Sequence, residues 1–373
     1  MRLDSGQISG TRFMFTITFF LQASALLTSF IAGVTKQSSW MTVLLGMVVG
    51  IPIIWLYRTL MAMFPDKNLI QLLEHIFGTV AGKILGVGYL WFFVTLTALN
   101  LGDLGDFAKI SIMTETPHSA LTLLCVLVTA MAVSCGIRVV TRYAAFFTVL
   151  EFLIIAFSIV LALNQIKPQN LLPLWNVPLR KMLQGTHIIL TIPLGELVTF
   201  LMITPNLKAT PRDLTKFWFL GVGMGMLTVL VIMLRDITVL GNTLHLFTLP
   251  GLETLRLVSL GEALSRMEIL FAAALIMLLF FKVTFLCYIS VIALAQLMRA
   301  RGFKHLALLM GMLAVAYGLT LYPNPVEHTR SAREITPVIW TAFEILIPLV
   351  TLITAKVRGL PRQKPEIPEQ SEG

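Results

Sequence analysis

The sequence predicts an all-α polytopic membrane protein, and three observations carry that reading. Of 373 residues, 57% are hydrophobic and only 13% are charged, with a mean hydropathy of +0.85. Soluble domains carry nearer 25% charge. The apolar residues also gather into ten windows, each about the 20 residues of helix that the hydrocarbon core requires. Finally, the polar interruptions within those windows concentrate in the first and the sixth.

Taken in order, the windows cover roughly 11–34, 40–62, 84–112, 119–136, 142–164, 183–206, 214–240, 267–298, 304–322 and 336–356. The breaks between them carry turn and cap chemistry: Phe64-Pro65-Asp66-Lys67, Thr116-Pro117-His118, Lys167-Pro168-Gln169-Asn170 and Thr210-Pro211-Arg212-Asp213. Pro211 and Pro337 stand where a first helical turn tolerates proline. Arg12, the apolar run after it and Ala23-Ser24-Ala25 imitate a signal peptide with its cleavage site. The run continues to Val34, so it is read as an uncleaved first span. Between the seventh and eighth windows, Leu252 to Leu264 mixes charge with leucine at helical spacing and predicts a helix on the membrane surface. Residues 361–373, rich in Pro, Glu and Gln, predict a disordered tail.

The net charge of +9 is a topology signal rather than a nucleic-acid one, because the basic residues cluster between spans. With the N-terminus inside, most of the 28 Lys and Arg residues collect on that face, including Arg58, Lys67, Arg138, Lys208, Arg299 and Lys356. An even span count then predicts both termini in the cytoplasm.

The sixth window holds the most informative stretch, Leu190-Thr191-Ile192-Pro193-Leu194-Gly195-Glu196-Leu197-Val198-Thr199-Phe200. A carboxylate near the bilayer centre costs about 2.5–3.5 kcal/mol on insertion scales and normally faces a protein interior or a wet cavity. Pro193 removes a backbone donor and Gly195 weakens the next turn. Irregular backbone at this depth is tolerated only where protein buries it or it lines a cavity. Two readings follow: a helix broken beside a ligand site, with Gly195, Glu196 and Thr199 in it, or a kinked packing helix with a locally satisfied Glu.

Other polar residues in the windows extend the candidate set. Lys282 lies too deep in the eighth window to snorkel, so it is either a fixed cation or the partner of Glu196, Glu151 or Glu344. Glu151 and Glu344 stand nearer their window ends and read as structural or interfacial. In the first window, Gln22, Ala23, Ser24 and Thr28 place an amide and hydroxyls at mid-membrane among small residues. In the third, Asn100 and Asp103 share a helix face and Asp106 can pair with Lys109 a turn on; the group reads as an entry vestibule or a solvated helix end. The first and sixth windows open successive sets of five, and interrupted segments at matching positions of two halves point to a transporter-type site. There the free N–H groups of a half-helix can receive an anion.

These residues resemble the spore germination B-subunit (GerB) family of the amino acid–polyamine–organocation (APC) superfamily. The resemblance rests on Gly195 through Pro205, on Leu249-Pro250-Gly251-Leu252 leading through Gly261-Glu262 to Ser265-Arg266-Met267-Glu268, on Phe281-Lys282, and on Leu321-Tyr322-Pro323-Asn324. It implies one transmembrane domain over 1–360. Within it, inverted repeats of five spans cover about 8–165 and 180–357, as in APC/LeuT-type folds, with spans one and six broken. It implies a role in sensing a small germinant, such as an amino acid or sugar, in the spore inner membrane, together with an A subunit and a lipoprotein C subunit. On the matching positions, Glu196 and Lys282 belong to the site, and Arg266 with Glu268 to an outer-loop element. Relatives often carry Gly-x-Gly where this chain has Gln22-Ala23-Ser24. An APC-type secondary transporter of similar solutes is the second reading.

Enzymatic chemistry finds no motif: there is no Gly-x-Ser-x-Gly, His-Glu-x-x-His, phosphate loop or paired cysteine in the sequence. Cys125, Cys135 and Cys287, and the six histidines, lack metal-ligand spacing, so neither metal nor cofactor is expected. Gly221-Val222-Gly223-Met224-Gly225 imitates a nucleotide loop but lies inside an apolar window, where close helix packing is the expected cause.

Overall fold

The computed structural model describes residues 3–175, 177–257, 267–322 and 324–360, without the side chains of 25–28, 267, 268, 270 and 325. The tail at 361–373 and Arg266 therefore lie outside the described residues, as do the side chains of Thr28 and Glu268.

The described residues are mostly helical, with one two-residue strand pair among them. Strand β1 (Ile8–Ser9) leads into α1 (Gly10–Gln22), a 3-10 turn (Ala23–Leu26) and α2 (Leu27–Thr35). Then follow α3 (Ser39–Met63), α4 (Leu69–Phe77), α5 (Thr79–Ser111), α6 (His118–Ser134) and α7 (Ile137–Ala162). The second half begins with α8 (Leu179–Ile189), which passes into a wide π turn (Leu190–Leu194) and a tight 3-10 segment (Gly195–Asn206). Strand β2 (Leu207–Lys208) precedes α9 (Pro211–Leu240) and α10 (Pro250–Leu257). The last elements are α11 (Met267–Leu297), α12 (Leu306–Leu321), α13 (Pro325–Glu334), α14 (Thr336–Thr341), a π turn (Ala342–Leu346) and α15 (Ile347–Val357).

Every apolar window falls on helix, but not every window is one long helix. Among the described residues, seven helices are long and apolar enough to cross a membrane. The α12 helix and the segment after it, bent by 92°, would make an eighth. The first window is split at Ala23–Leu26, and α6 has only 17 residues, the short limit for a span.

Burial sorts the helices. The stretch Leu179–Asn206 is 89% buried in its most apolar window and Phe271–Leu297 is 83% buried, against 28% for Thr336–Val357. The broken helix and α11 therefore form the centre, and α15 lies on the rim. The α11 helix packs along α5, while α1 packs between α9 and α7. The glycines of α9 support the α1 contact. A Cβ on Gly221 or Gly225 would stand 2.8 Å from Met14 O or 2.6 Å from Leu21 Cβ, whereas Gly223 faces open space.

Two features were not legible as elements. Helix α4 is amphipathic, with Leu69, Ile70, Leu72, Leu73 and Ile76 buried, and a capping box formed by Asn68 and Gln71. The second is an N-terminal strap. Ile8 and Ser9 pair in parallel with Leu207 and Lys208. Asn206 Nδ2 donates to Asp4 O and Gly6 O at 3.1 and 2.8 Å. The Asp4 carboxylate accepts from Ile137 N at 2.9 Å and from the Tyr288 hydroxyl at 3.0 Å. The Asp4 side chain thus joins the start of α7 to the C-terminal part of α11, while the backbone of the same strap holds the end of the broken helix. Helix α10 does bury one face, through Leu252, Thr254 and Leu255, and the rest of the predicted surface helix lies outside the described residues.

Candidate functional site

The break in the sixth window follows from its prolines and glycine. Pro193 cannot donate to the carbonyl four residues back, and its ring crowds it. The backbone widens to a π turn there and then tightens through Gly195–Asn206. Helix α3 comes close on this side because Gly46 and Gly50 present no side chain. A Cβ on either would lie 2.2 Å from Ile189 Cγ2 or 2.5 Å from Leu194 Cδ1. That approach brings Tyr57, two turns on, to the break.

A second irregular turn faces the first. Pro348 has no N–H for Glu344 O, and the backbone again widens over Ala342–Leu346. The orphaned carbonyls are collected by buried phenols. The Tyr57 hydroxyl donates to Glu344 O at 2.7 Å and reaches Gly195 O at 3.0 Å, while Tyr89 donates to Phe343 O at 2.6 Å. Unsatisfied backbone groups at this depth would be costly, so the tyrosines hold both breaks open.

At the centre the Lys282 ammonium lies 2.6 Å from Glu196 Oε2, and both side chains are under 5% exposed. The contact is an ion pair by distance, off the line of a hydrogen bond. Lys282 Nζ also donates to Ser24 Oγ at 3.1 Å and stands 4.9 Å from the centre of the Phe20 ring. One ammonium therefore ties the two interrupted segments together.

Beside it lies a small cavity of about 50 Å³, bounded by Ala23, Ser24, Asn100, Asp103, Glu196 and Lys282 and closed by Phe30, His328 and Trp340. Toward the face carrying the N-terminus, Phe20, Phe200 and Phe285 pack edge-to-face and tilted, with ring centres within 5.7 Å of one another, as a fully buried floor. On the opposite side a second cavity of about 240 Å³ begins, lined by Gly102, Asp106, His118, Tyr322, Asn324 and His328.

Sequence expectations and structure meet unevenly. Ala23, Ser24, Asn100, Asp103, Glu196 and Lys282 come together at the cavity, and of the three acids offered to Lys282 it is Glu196 that takes it. Three others do not line it. Gln22 turns toward α9, with Nε2 3.3 Å from Thr228 Oγ1. Thr199 donates to its own helix at Glu196 O, 2.6 Å away, and Gly195 backs onto Glu344. Asn100 Nδ2 donates to Leu96 O, which leaves its carbonyl oxygen for the cavity.

The expectations for the other acids are corrected. Glu344 is not interfacial: it is fully buried, and neither carboxyl oxygen has a hydrogen-bond donor among the described residues. Glu151 is likewise buried, on α7, away from the cavity lining. Asp106 lies 3.5 Å from His118 Nε2 instead of pairing with Lys109, because the start of α6 folds back over the end of α5. Asp103 is partly exposed, and His328 Nδ1 sits 3.3 Å from its Oδ1. His328, Phe30, Trp340, Tyr57 and Tyr89 are the residues sequence reasoning missed. Only the prolines at 337 and 348 hinted that the tenth window was irregular.

Fold and site together define a helical membrane protein with a charged centre between interrupted helices. The fold is that of Mhp1, a nucleobase–cation–symport-1 family transporter in a closed conformation with bromovinylhydantoin bound. The two share a TM-score of 0.61 and 12% identity, over 93% of this chain and 80% of that one. A family model for spore germination proteins matches residues 7–326, and the chain belongs to that family. It is 28% identical over 357 residues to spore germination protein KB of Bacillus subtilis (strain 168), covering 94% of this chain and 95% of that protein. Spore germination protein YndE of the same organism is 24% identical over 303 residues, covering 78% and 80%.

Proposed function

We propose that this protein is a germinant-receptor B subunit. A small polar germinant, such as an amino acid or sugar, binds at the mid-membrane cavity, favours one conformation by differential affinity, and so signals to partner subunits. The observation that carries the reading is the Lys282 ammonium held by Glu196 and Ser24, one from each interrupted segment, at the edge of a cavity. A charge buried there at this cost marks a site whose geometry a ligand can change.

The reading includes ten spans in two inverted sets of five, both termini in the cytoplasm, and a place in the spore inner membrane. An A subunit and a lipoprotein C subunit are the partners, and the role is not enzymatic. The aromatic floor and the strap at Asp4 close one side, as a receptor that need not pass its ligand would require.

Thermal stability of the purified protein against a library of small polar solutes tests the reading. At least one solute is expected to raise the unfolding temperature, and Glu196→Gln is expected to abolish that rise while the protein remains in the membrane. A library without a single hit, or an unchanged shift in Glu196→Gln, would remove the site.

The fold likeness to a transporter supports a second reading, in which the site cycles between faces and moves solute with Lys282 or Glu196 carrying coupled charge. Uptake into proteoliposomes separates the two. Saturable, vectorial flux by the isolated protein would establish transport, and its absence alongside ligand binding would leave the receptor.

A further inference from the structure

The mid-membrane cavity, at about 50 Å³, holds little more than water, so a ligand needs a side chain to leave. His328 is placed to do so. It belongs to α13, a polar helix between two apolar stretches, and it lines both the mid-membrane cavity and the larger outer one. Its ring packs edge-on to Phe30 at 6.0 Å and stacks on Tyr322 at 5.0 Å, so imidazole and aromatics together form the partition.

The charges of the inner cavity are unequal. Lys282 and Glu196 pair with each other at 2.6 Å, and among the described residues Asp103 has the His328 imidazole Nδ1 as its polar neighbour, 3.3 Å from Oδ1. One turn back on α5, the Asn100 carbonyl oxygen adds an acceptor on the same face. Turning His328 away joins the two cavities and strips Asp103 of its partner in one movement. An incoming group must then supply donors to a carboxylate and an amide oxygen, which is the chemistry of a protonated amine.

We infer that His328 stands in for the ligand: in the closed pocket its imidazole occupies, at Asp103, the place that the ammonium group of a small amine-bearing ligand takes. Binding is an exchange, and the displaced imidazole carries α13 outward. Occupancy of a buried site is thereby reported at the protein surface, on the face opposite the N-terminus. The inference rests on the pocket reading above and adds Asp103 and His328 as its selecting pair.

The test uses the full chain in nanodiscs and calorimetric titration with L-alanine and L-valine against their 2-hydroxy counterparts, L-lactate and L-2-hydroxyisovalerate. The amino acids are expected to bind roughly tenfold or more tighter, the worth of one charge-assisted hydrogen bond. Asp103→Asn is expected to erase that ratio. His328→Phe, which keeps a ring in the partition but frees Asp103, is expected to tighten amino-acid binding severalfold, as removal of a competitor requires. Equal affinity for amine and hydroxyl probes, or an unchanged ratio in Asp103→Asn, overturns the exchange. So does binding of the hydroxy acids alone, or no binding of either amino acid. If Glu196→Gln abolishes binding while Asp103→Asn leaves the ratio unchanged, the exchange fails and the pocket stands. If no solute of the wider library binds, both fail.

Discussion

Lys282 and Glu196 meet at 2.6 Å across the middle of the protein, one from a continuous helix and the other from the first turn after a break. Neither could be tolerated there alone. Deleting one member of a buried pair leaves an uncompensated charge and costs about 3–5 kcal/mol, whereas replacing both by apolar groups is often neutral. Glu196→Gln is therefore expected to lower the unfolding temperature of the unliganded protein. Glu196→Leu combined with Lys282→Met should recover it without recovering ligand binding. Losses that simply add in the double variant would show that the two side chains act independently.

The two tyrosines at the breaks make a different test. Tyr57→Phe removes the donor that serves Glu344 O and Gly195 O, leaving buried carbonyls unpaired at a cost of about 1–3 kcal/mol. Tyr89→Phe should cost a similar amount through Phe343 O. Faster amide exchange at 342–347 in both variants is the expected signature. In Tyr57→Phe it should extend to 195–199, and in Tyr89→Phe it should not.

Gly195 and Glu344 constrain each other sterically. A Cβ at 195 would stand 2.1 Å from Glu344 Oε2 and 3.0 Å from Leu190 O, in a region with no room to spare. Gly195→Ala is expected to destabilise the protein by about 1–3 kcal/mol, the usual cost of overpacking. Because the nearer obstacle is a side-chain end, Glu344→Ala in the same chain should suppress most of the loss. Simple additivity of the two substitutions would refute the contact.

The strap at the N-terminus is open to measurement as well. Asp4→Ala withdraws the acceptor from Ile137 N, Tyr288 and Gly6 N together. Losing the cap of α7 alone is worth about 1 kcal/mol. The expected result is increased amide exchange at 137–141 and at 206–208, with 103–111 on the far side unchanged. Uniform change over all three would mean global loosening instead of a local release.

Much of this molecule is written in short-range patterns. Helices follow from apolar runs of membrane length, and the break at Pro193-Leu194-Gly195 follows from a missing donor and a missing Cβ, both properties of the residues themselves. That Glu196 and Lys282 needed partners was equally legible, since an isolated charge at that depth is costly wherever the chain folds.

Which partner each charge found was not. Glu151, Glu196 and Glu344 were all open to Lys282, and only the crossing of α11 with the broken helix selected Glu196 and left Glu344 without a donor among the described residues. Gln22 and Thr199 had the right chemistry in the right window, but the rotation of their helices carried them away from the cavity. Conversely, His328 and Tyr57 carry no local mark of a site, and they act through residues far away in the chain. Local backbone chemistry and the cost of burying charge are properties of sequence. Pairing, cavity shape and the partition at His328 depend on which helix faces meet, and only the tertiary packing decides that.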